Sequence, residues 1–237
     1  MQRRQFNQAS ISILGTLILA TYRQAQAISI ADLAGISNSD ASSGLKAALE
    51  KGALAAVALL GQTDGFLGNP KVRIALPGYL EDASKLLKNF GQGKRIDELV
   101  VAINRAAEAA VPMGKDLLVG TVRSMSVNDA KAILTGGDTS VTAFFAGKTR
   151  APLATRFLPV VTRATEKVNL ASKYNDFAGR AAGFGLVKKE DANIQQYVTA
   201  KSLDGLYLII GEEERRIRQD PVGTGSAILQ KVFGAMK

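Results

Sequence analysis

IQQYVTAKSLDGLYLIIGEEERRIRQD, residues 194–220, is the stretch on which the fold turns. Leu203, Leu206, Tyr207, Ile210 and Ile217 recur at spacings of three, four and seven, which places them on one face of an α-helix. Leu208 and Ile209 widen the apolar surface on its flank, and a helix apolar over so much of its circumference belongs at the centre of a bundle. Its far end is charged in an ordered way. Glu212 precedes Arg216 by four and Glu214 precedes Arg218 by four, the favourable orientation for helical ion pairs. Asp220-Pro221 stops the helix, with Asp220 able to cap a following one that begins at Pro221. Consecutive glutamates leave a helix about 100° apart, so the three do not converge easily on one cation. With arginines close behind them, a solvated ion-pair face is the expectation.

Upstream, apolar stripes of the same period predict further helices. Leu45, Leu49, Ala53, Val57 and Leu60 mark one over 44–60, capped by Asp40 or Ser42 and ended by Gly61. A helix over 79–90 follows, then one marked by Ile96, Leu99, Val100, Ile103, Ala107, Ala110 and Val111, interrupted at Pro112 and resumed over 113–125. Ser126 and Asp129 are the two halves of a capping box opening a helix that ends at Gly136-Gly137. Asp138 is placed as the cap of a short helix over 139–146. Pro152 is placed early in a separate helix, with Leu153, Phe157, Val160, Val161 and Ala164 as its stripe and a kink at Pro159. Short helices over 175–184 and 226–233 complete the chain. Residues 62–78 are different, because Gly65, Gly68, Pro70, Pro77 and Gly78 forbid a continuous helix there. The predicted fold class is therefore all-α, a single multi-helix bundle of short helices around the central C-terminal helix. It has at most one short extended segment, near 72–76. No repeat of fixed period and no Pro- or Ser-rich linker divides it.

Composition agrees with that class. Of 237 residues 46% are hydrophobic, yet only 6% are aromatic and none is Trp, so the core must come from Ala, Leu, Val and Ile, which pack helices closely. The chain has no Cys and no His. That excludes disulfides, a thiolate nucleophile, an imidazole base, a Ser-His-Asp triad and a Cys/His zinc site. A carboxylate site for Ca²⁺ or Mg²⁺ stays open, but no cofactor motif is present. Gly147-Lys148-Thr149 imitates the end of a phosphate-binding loop, but Thr142 stands where that loop needs Gly and no strand precedes it.

Residues 1–27 have the three parts of an export signal: Arg3 and Arg4 in front, an apolar run over 11–20, and a small-x-small cleavage site at Ala25-Gln26-Ala27. Arg3-Arg4-Gln5-Phe6 is similar to a twin-arginine signal. The apolar run is shorter than the roughly 20 residues that span a bilayer, so no transmembrane span is expected in the mature protein. The expected order is export signal over 1–27, a mature N-terminal arm over 28–43, and a helical domain over 44–237, with an exported, periplasmic or cell-envelope location. Removing the signal takes away three arginines and no acid. The remaining 210 residues then hold 27 basic and 21 acidic side chains, a net of +6 that favours anionic surfaces. Nucleic acid is not the expected partner, since no basic run interleaved with aromatics is present.

Asn69, Arg73, Asp204 and Arg218 are the candidate ligand-binding residues. Asn69 and Arg73, with Lys71, lie in the one structured loop, where function concentrates. Asp204-Gly205 interrupts an apolar helix. There a part-buried carboxylate needs a cation, with Arg73 or another arginine across the bundle as the partner and Gly205 allowing close helix approach. No catalytic residue and no metal ligand stands out.

Leu203-Asp204-Gly205-Leu206-Tyr207, the run from Gly211-Glu212-Glu213-Glu214-Arg215-Arg216 to Ile217-Arg218-Gln219-Asp220-Pro221, and Leu229-Gln230-Lys231-Val232-Phe233-Gly234 together resemble domain-of-unknown-function family 4197. Asn69-Pro70-Lys71-Val72-Arg73-Ile74-Ala75-Leu76-Pro77 and Ala171-Ser172-Lys173-Tyr174-Asn175 are similar to the same family. Ala75 stands where the family pattern commonly has Pro, so less rigidity is expected there. The resemblance implies an exported, mainly bacterial protein of helical character with no established activity, and it transfers no catalytic residue. Two readings follow. The favoured one is a non-enzymatic binding domain for an unidentified, anionic or apolar envelope component. The alternative is an enzyme built on carboxylates and arginines, acting on an envelope polymer through two carboxylates about 5–10 Å apart in a concave pocket.

Overall fold

The computed structural model describes residues 38–78, 93–183, 185, 188 and 191–220. The export signal, residues 28–37 of the arm and the helices expected over 79–90 and 226–233 lie outside them. In chain order the described elements are α1 (Asn38–Gly61), α2 (Gly93–Ala110), a 3-10 turn (Val111–Gly114), α3 (Lys115–Arg123), α4 (Val127–Thr135), α5 (Ser140–Thr165), α6 (Asn169–Gly183) and α7 (Ile194–Gln219). No strand occurs among the described residues, so the fold is all-α.

Helix α7 is the segment with which the sequence reading began. Asn193 caps it by accepting the Gln196 N–H at 3.0 Å, and Asp220 closes its other end. Leu203, Leu206, Tyr207, Ile209, Ile210 and Ile217 are all buried, while Leu208 is exposed. The centre of the bundle is shared, however. Helix α7 packs most extensively on α5, and α5 in turn contacts α2, α3 and α4, while α7 contacts α1, α2 and α6. The two run antiparallel, with Thr142 beside Glu214, Thr149 beside Tyr207 and Thr165 beside Gln195.

Helix α5 departs from expectation. The predicted short helix over 139–146 and the separate one containing Pro152 are a single 26-residue helix that continues through Pro152 and Pro159. Its buried positions, Val141, Phe145, Thr149, Leu153, Phe157, Val161 and Thr165, recur every four residues across both prolines. Burying Phe145, Leu153, Phe157 and Val161 contributes about 1.5–3 kcal/mol each, which outweighs about 3 kcal/mol for each interior proline. Both prolines are exposed, and the carbonyls they leave unpaired belong to Lys148 and Thr155, exposed residues that water reaches. Asp138 is not the cap; Thr139 holds that position and supplies no side-chain bond. Helix α1 also starts earlier than expected, at Asn38, so the last part of the arm is helical and Asp40 and Ser42 lie inside the helix. The interruption expected at Pro112 takes the form of the 3-10 turn, after which helix resumes at Lys115, and the Ser126/Asp129 capping box is where the sequence put it.

Residues 62–77 wind through successive tight turns and then run irregularly along the bundle. Lys71, Arg73 and Ala75 are exposed and Val72, Ile74 and Leu76 buried, so the expected two-residue alternation is present without any partner strand. Gly65 sits so close to α1 that a Cβ there would lie 2.5 Å from the Leu59 carbonyl oxygen. At Gly205 of α7 a Cβ would come within 2.7 Å of the Phe66 ring and 3.3 Å of Val72 Cβ. The close approach there is made by this loop and not by a second helix. Phe66 is fully buried and has nowhere to go. Gly205→Ala should therefore destabilise the protein by about 1–3 kcal/mol of overpacking, reduced by the gain of about 1 kcal/mol in helix propensity. Urea denaturation that finds the variant more stable than the parent would show that the loop can shift.

Candidate functional site

The candidate residues fall into three polar assemblies, the first and third joined by the Lys71–Glu212 pair. The first ties the loop to α2. Asn104 is completely buried; its Oδ1 accepts the Ile74 N–H at 2.8 Å and its Nδ2 donates to the Ile74 carbonyl at 2.9 Å and the Val100 carbonyl at 2.8 Å. One side-chain amide thus makes both backbone bonds that a neighbouring strand would have made. One turn on, Glu108 accepts the Phe66 and Leu67 N–H groups at 3.0 and 3.1 Å. Arg105 bridges Glu108 at 2.6 Å and Asp64 at 2.8 Å, and Asp64 is held at a positive φ of 66°. Within the loop, Asn69 Oδ1 accepts the Lys71 N–H at 3.1 Å and Arg73 donates to the Leu67 carbonyl at 3.2 Å. Lys71 reaches Glu212 at 2.7 Å, and the Tyr197 hydroxyl donates to the Ala75 carbonyl at 3.0 Å.

The second assembly holds Asp204. The carboxylate is half exposed and meets an arginine across the bundle, as expected, but the arginine is Arg150 at 2.7 Å and not Arg73. Helix α5 passes beside Asp204, whereas Arg73 is turned back onto its own loop. Lys201 stands 3.9 Å from the same carboxylate. The Arg150 guanidinium also lies 5.2 Å from the centroid of the Tyr207 ring, within cation–π range. The Tyr207 hydroxyl shares a 2.8 Å hydrogen bond with Thr149 Oγ1. Burial raises the Tyr207 pKa above the ordinary tyrosine value, against the opposing pull of Thr149 and Arg150.

The third assembly overturns the expectation of a wet glutamate cluster. Glu213 pairs with Arg216 and Glu212 with Lys71, so the expected Glu212–Arg216 pair is replaced. Glu214 is 3% exposed. Its carboxylate accepts the Val141 N–H at 3.1 Å and the Thr142 N–H at 3.2 Å, the bonds at the second and third positions of α5 that a capping side chain ordinarily makes. The cap of α5 thus comes from α7, more than seventy residues later in the chain. Arg218 seals it, donating to Glu214 Oε1 at 3.0 Å, Ser140 Oγ at 2.7 Å and the Ile133 carbonyl at 3.1 Å. The carboxylate thus lies between the N-terminus of α5, where negative charge is stabilising, and the Arg218 guanidinium.

Asn69 and Arg73 therefore lie on the loop, Asp204 at the middle of α7 and Arg218 at its end, and the fold does not gather them. Asn104 and Glu108 escaped the sequence reading. Their signal was a polar pair four residues apart beside Ile103 and Ala107, on the flank of an apolar stripe. An open groove of about 630 Å³ lies along Gly93, Lys94, Asp97, Glu98, Val101 and Ala102. Its two carboxylates are sequence neighbours and so leave α2 about 100° apart. Among the described residues no three acidic side chains gather as a metal site would require, and no helix is long and apolar enough to cross a membrane. No curated protein and no solved structure matches the chain. Residues 35–234 match the family described as "Protein of unknown function (DUF4197)", and with every described helix inside that span the chain belongs to this family.

Proposed function

We propose that this protein is an exported, non-enzymatic helical binding domain of the cell envelope whose partner is anionic. The observation that supports this reading is a basic surplus with several of its cations exposed and outside the ion pairs of the described residues. Glu108 and Glu214 are buried in backbone and arginine contacts, and Glu50, Glu212, Glu213 and Asp204 are each held by a basic side chain. Lys115, Lys131, Lys148 and Arg156 are exposed and make no ion pair among the described residues. The buried and cross-helix acids hold the helices together, while Asp97, Glu98, Asp116, Asp138 and Glu166 stay exposed as these cations do. The mature chain still carries six more basic than acidic side chains, and such a surplus attracts polyanions. Such a protein, recovered from its own cells, should carry Ile28 as its first residue and sediment with the envelope until high salt releases it. A chain found in the cytosol with residues 1–27 intact would rule the reading out.

A further inference from the structure

Helix α5 contains four cations, Lys148, Arg150, Arg156 and Arg163, and no acid. Arg150 is held by Asp204. The other three are exposed and leave the helix within a sector of about 80° over a length of about 22 Å. Lys167, also exposed, follows one turn later. The outward positions between them are Pro152, Thr155 and Pro159, short side chains above which lysine and arginine stand clear. Two acids moderate the row: Glu166 at its end, exposed, and Asp129, whose carboxyl feels Lys148. Arg163 turns its Nε to the Pro159 carbonyl at 3.4 Å, which leaves the rest of its guanidinium outward.

From this row we infer that the outer face of α5 docks on the anionic headgroups of a lipid bilayer, an inference that rests on the envelope reading above and names its partner. The face is one side of a rod, without a cleft to enclose a small anion and without exposed aromatics on which bases could stack. A flat anionic surface meets all the cations of a straight row at once, whereas a flexible polymer would lose conformational freedom to follow it. Each cation near such a surface is worth about a fivefold gain in partition, so the row binds detectably and reversibly, and more weakly as salt rises.

The test is vesicle flotation with the protein as its cells produce it, on phosphatidylglycerol-containing vesicles and on phosphatidylcholine alone. The parent should float with the first and not with the second. The double variant Arg156→Glu/Arg163→Glu should lose about 25-fold or more in affinity. Lys94→Glu/Lys115→Glu changes the net charge equally at exposed sites on other helices and should lose much less. Equal losses in the two double variants, or none in the first, would overturn the assignment to α5. If the parent binds soluble poly(glycerol phosphate) but ignores both vesicle types, the lipid is the wrong source while the envelope reading stands. Only the location and processing experiment bears on that reading itself. All these side chains are exposed, so thermal unfolding should match the parent for both double variants.

Discussion

Glu214→Ala should lower the unfolding free energy by about 3–5 kcal/mol, the loss seen when one partner of a buried ion pair is removed. Three deficits arise together. The Val141 and Thr142 N–H groups lose their acceptor, the first turn of α5 loses its compensating negative charge, and Arg218, whose side chain is only 14% exposed, loses the carboxylate it meets at 3.0 Å. Glu214→Gln should be milder, because its amide oxygen can still accept one N–H while the ion pair disappears. Removing Arg218 as well should cost less than the sum of the two single losses, since the two side chains are in direct contact. Chemical denaturation of the two single variants and the double variant measures all of this. A loss below about 1 kcal/mol, the worth of an exposed pair, would mean that water reaches the cap after all.

Asn104→Ala should cost about 2–4 kcal/mol, because it strands the buried N–H and C=O of Ile74 at once and an unpaired buried polar group costs about 1–3 kcal/mol. The loss has a local signature. The Ile74 amide should exchange with solvent faster than the amides of α5 and α7, and protease should cut within 62–78 before it cuts elsewhere. Asn104→Asp keeps the acceptor for the Ile74 N–H but sets a carboxylate against the Ile74 and Val100 carbonyls, so it should be no better than Ala. If instead the Ile74 amide exchanges no faster in Asn104→Ala than in the parent, the loop is held by Val72, Ile74 and Leu76 packing alone.

Both residues explain why the fold was more legible than the site. The stripes on α1, α2 and α7 are repeats of period 3.6, and apolar burial has no direction, so a pattern within one segment suffices to find the helix and its inward face. The capping box at Ser126 and Asp129 is legible for the same reason, since both halves lie within four residues. Helix α5 was misread where local rules met a tertiary one. Pro152 and Gly147 are local reasons to break, while Phe145, Leu153 and Phe157 bury on both sides of the break and hold it closed. Asp138 was a plausible cap only while the carboxylate of Glu214 was unknown.

By itself the sequence determined the class of the fold, the buried faces of its helices and the excess of basic over acidic side chains, because each of these depends on composition or on spacing within a single segment. The Glu214–Arg218 pair was legible from its spacing of four and is present at 3.0 Å, but the tertiary structure alone decided which groups meet between segments. Glu214 went to α5, Asp204 to Arg150, Glu212 to Lys71, and Asn104 to the backbone of a loop thirty residues before it. Hydrogen bonds and ion pairs act over a few ångströms and in set directions, so their partners exist only after the helices have packed. The chemistry left free for a partner, a row of cations on α5 moderated by Glu166 and Asp129, became visible by the same step.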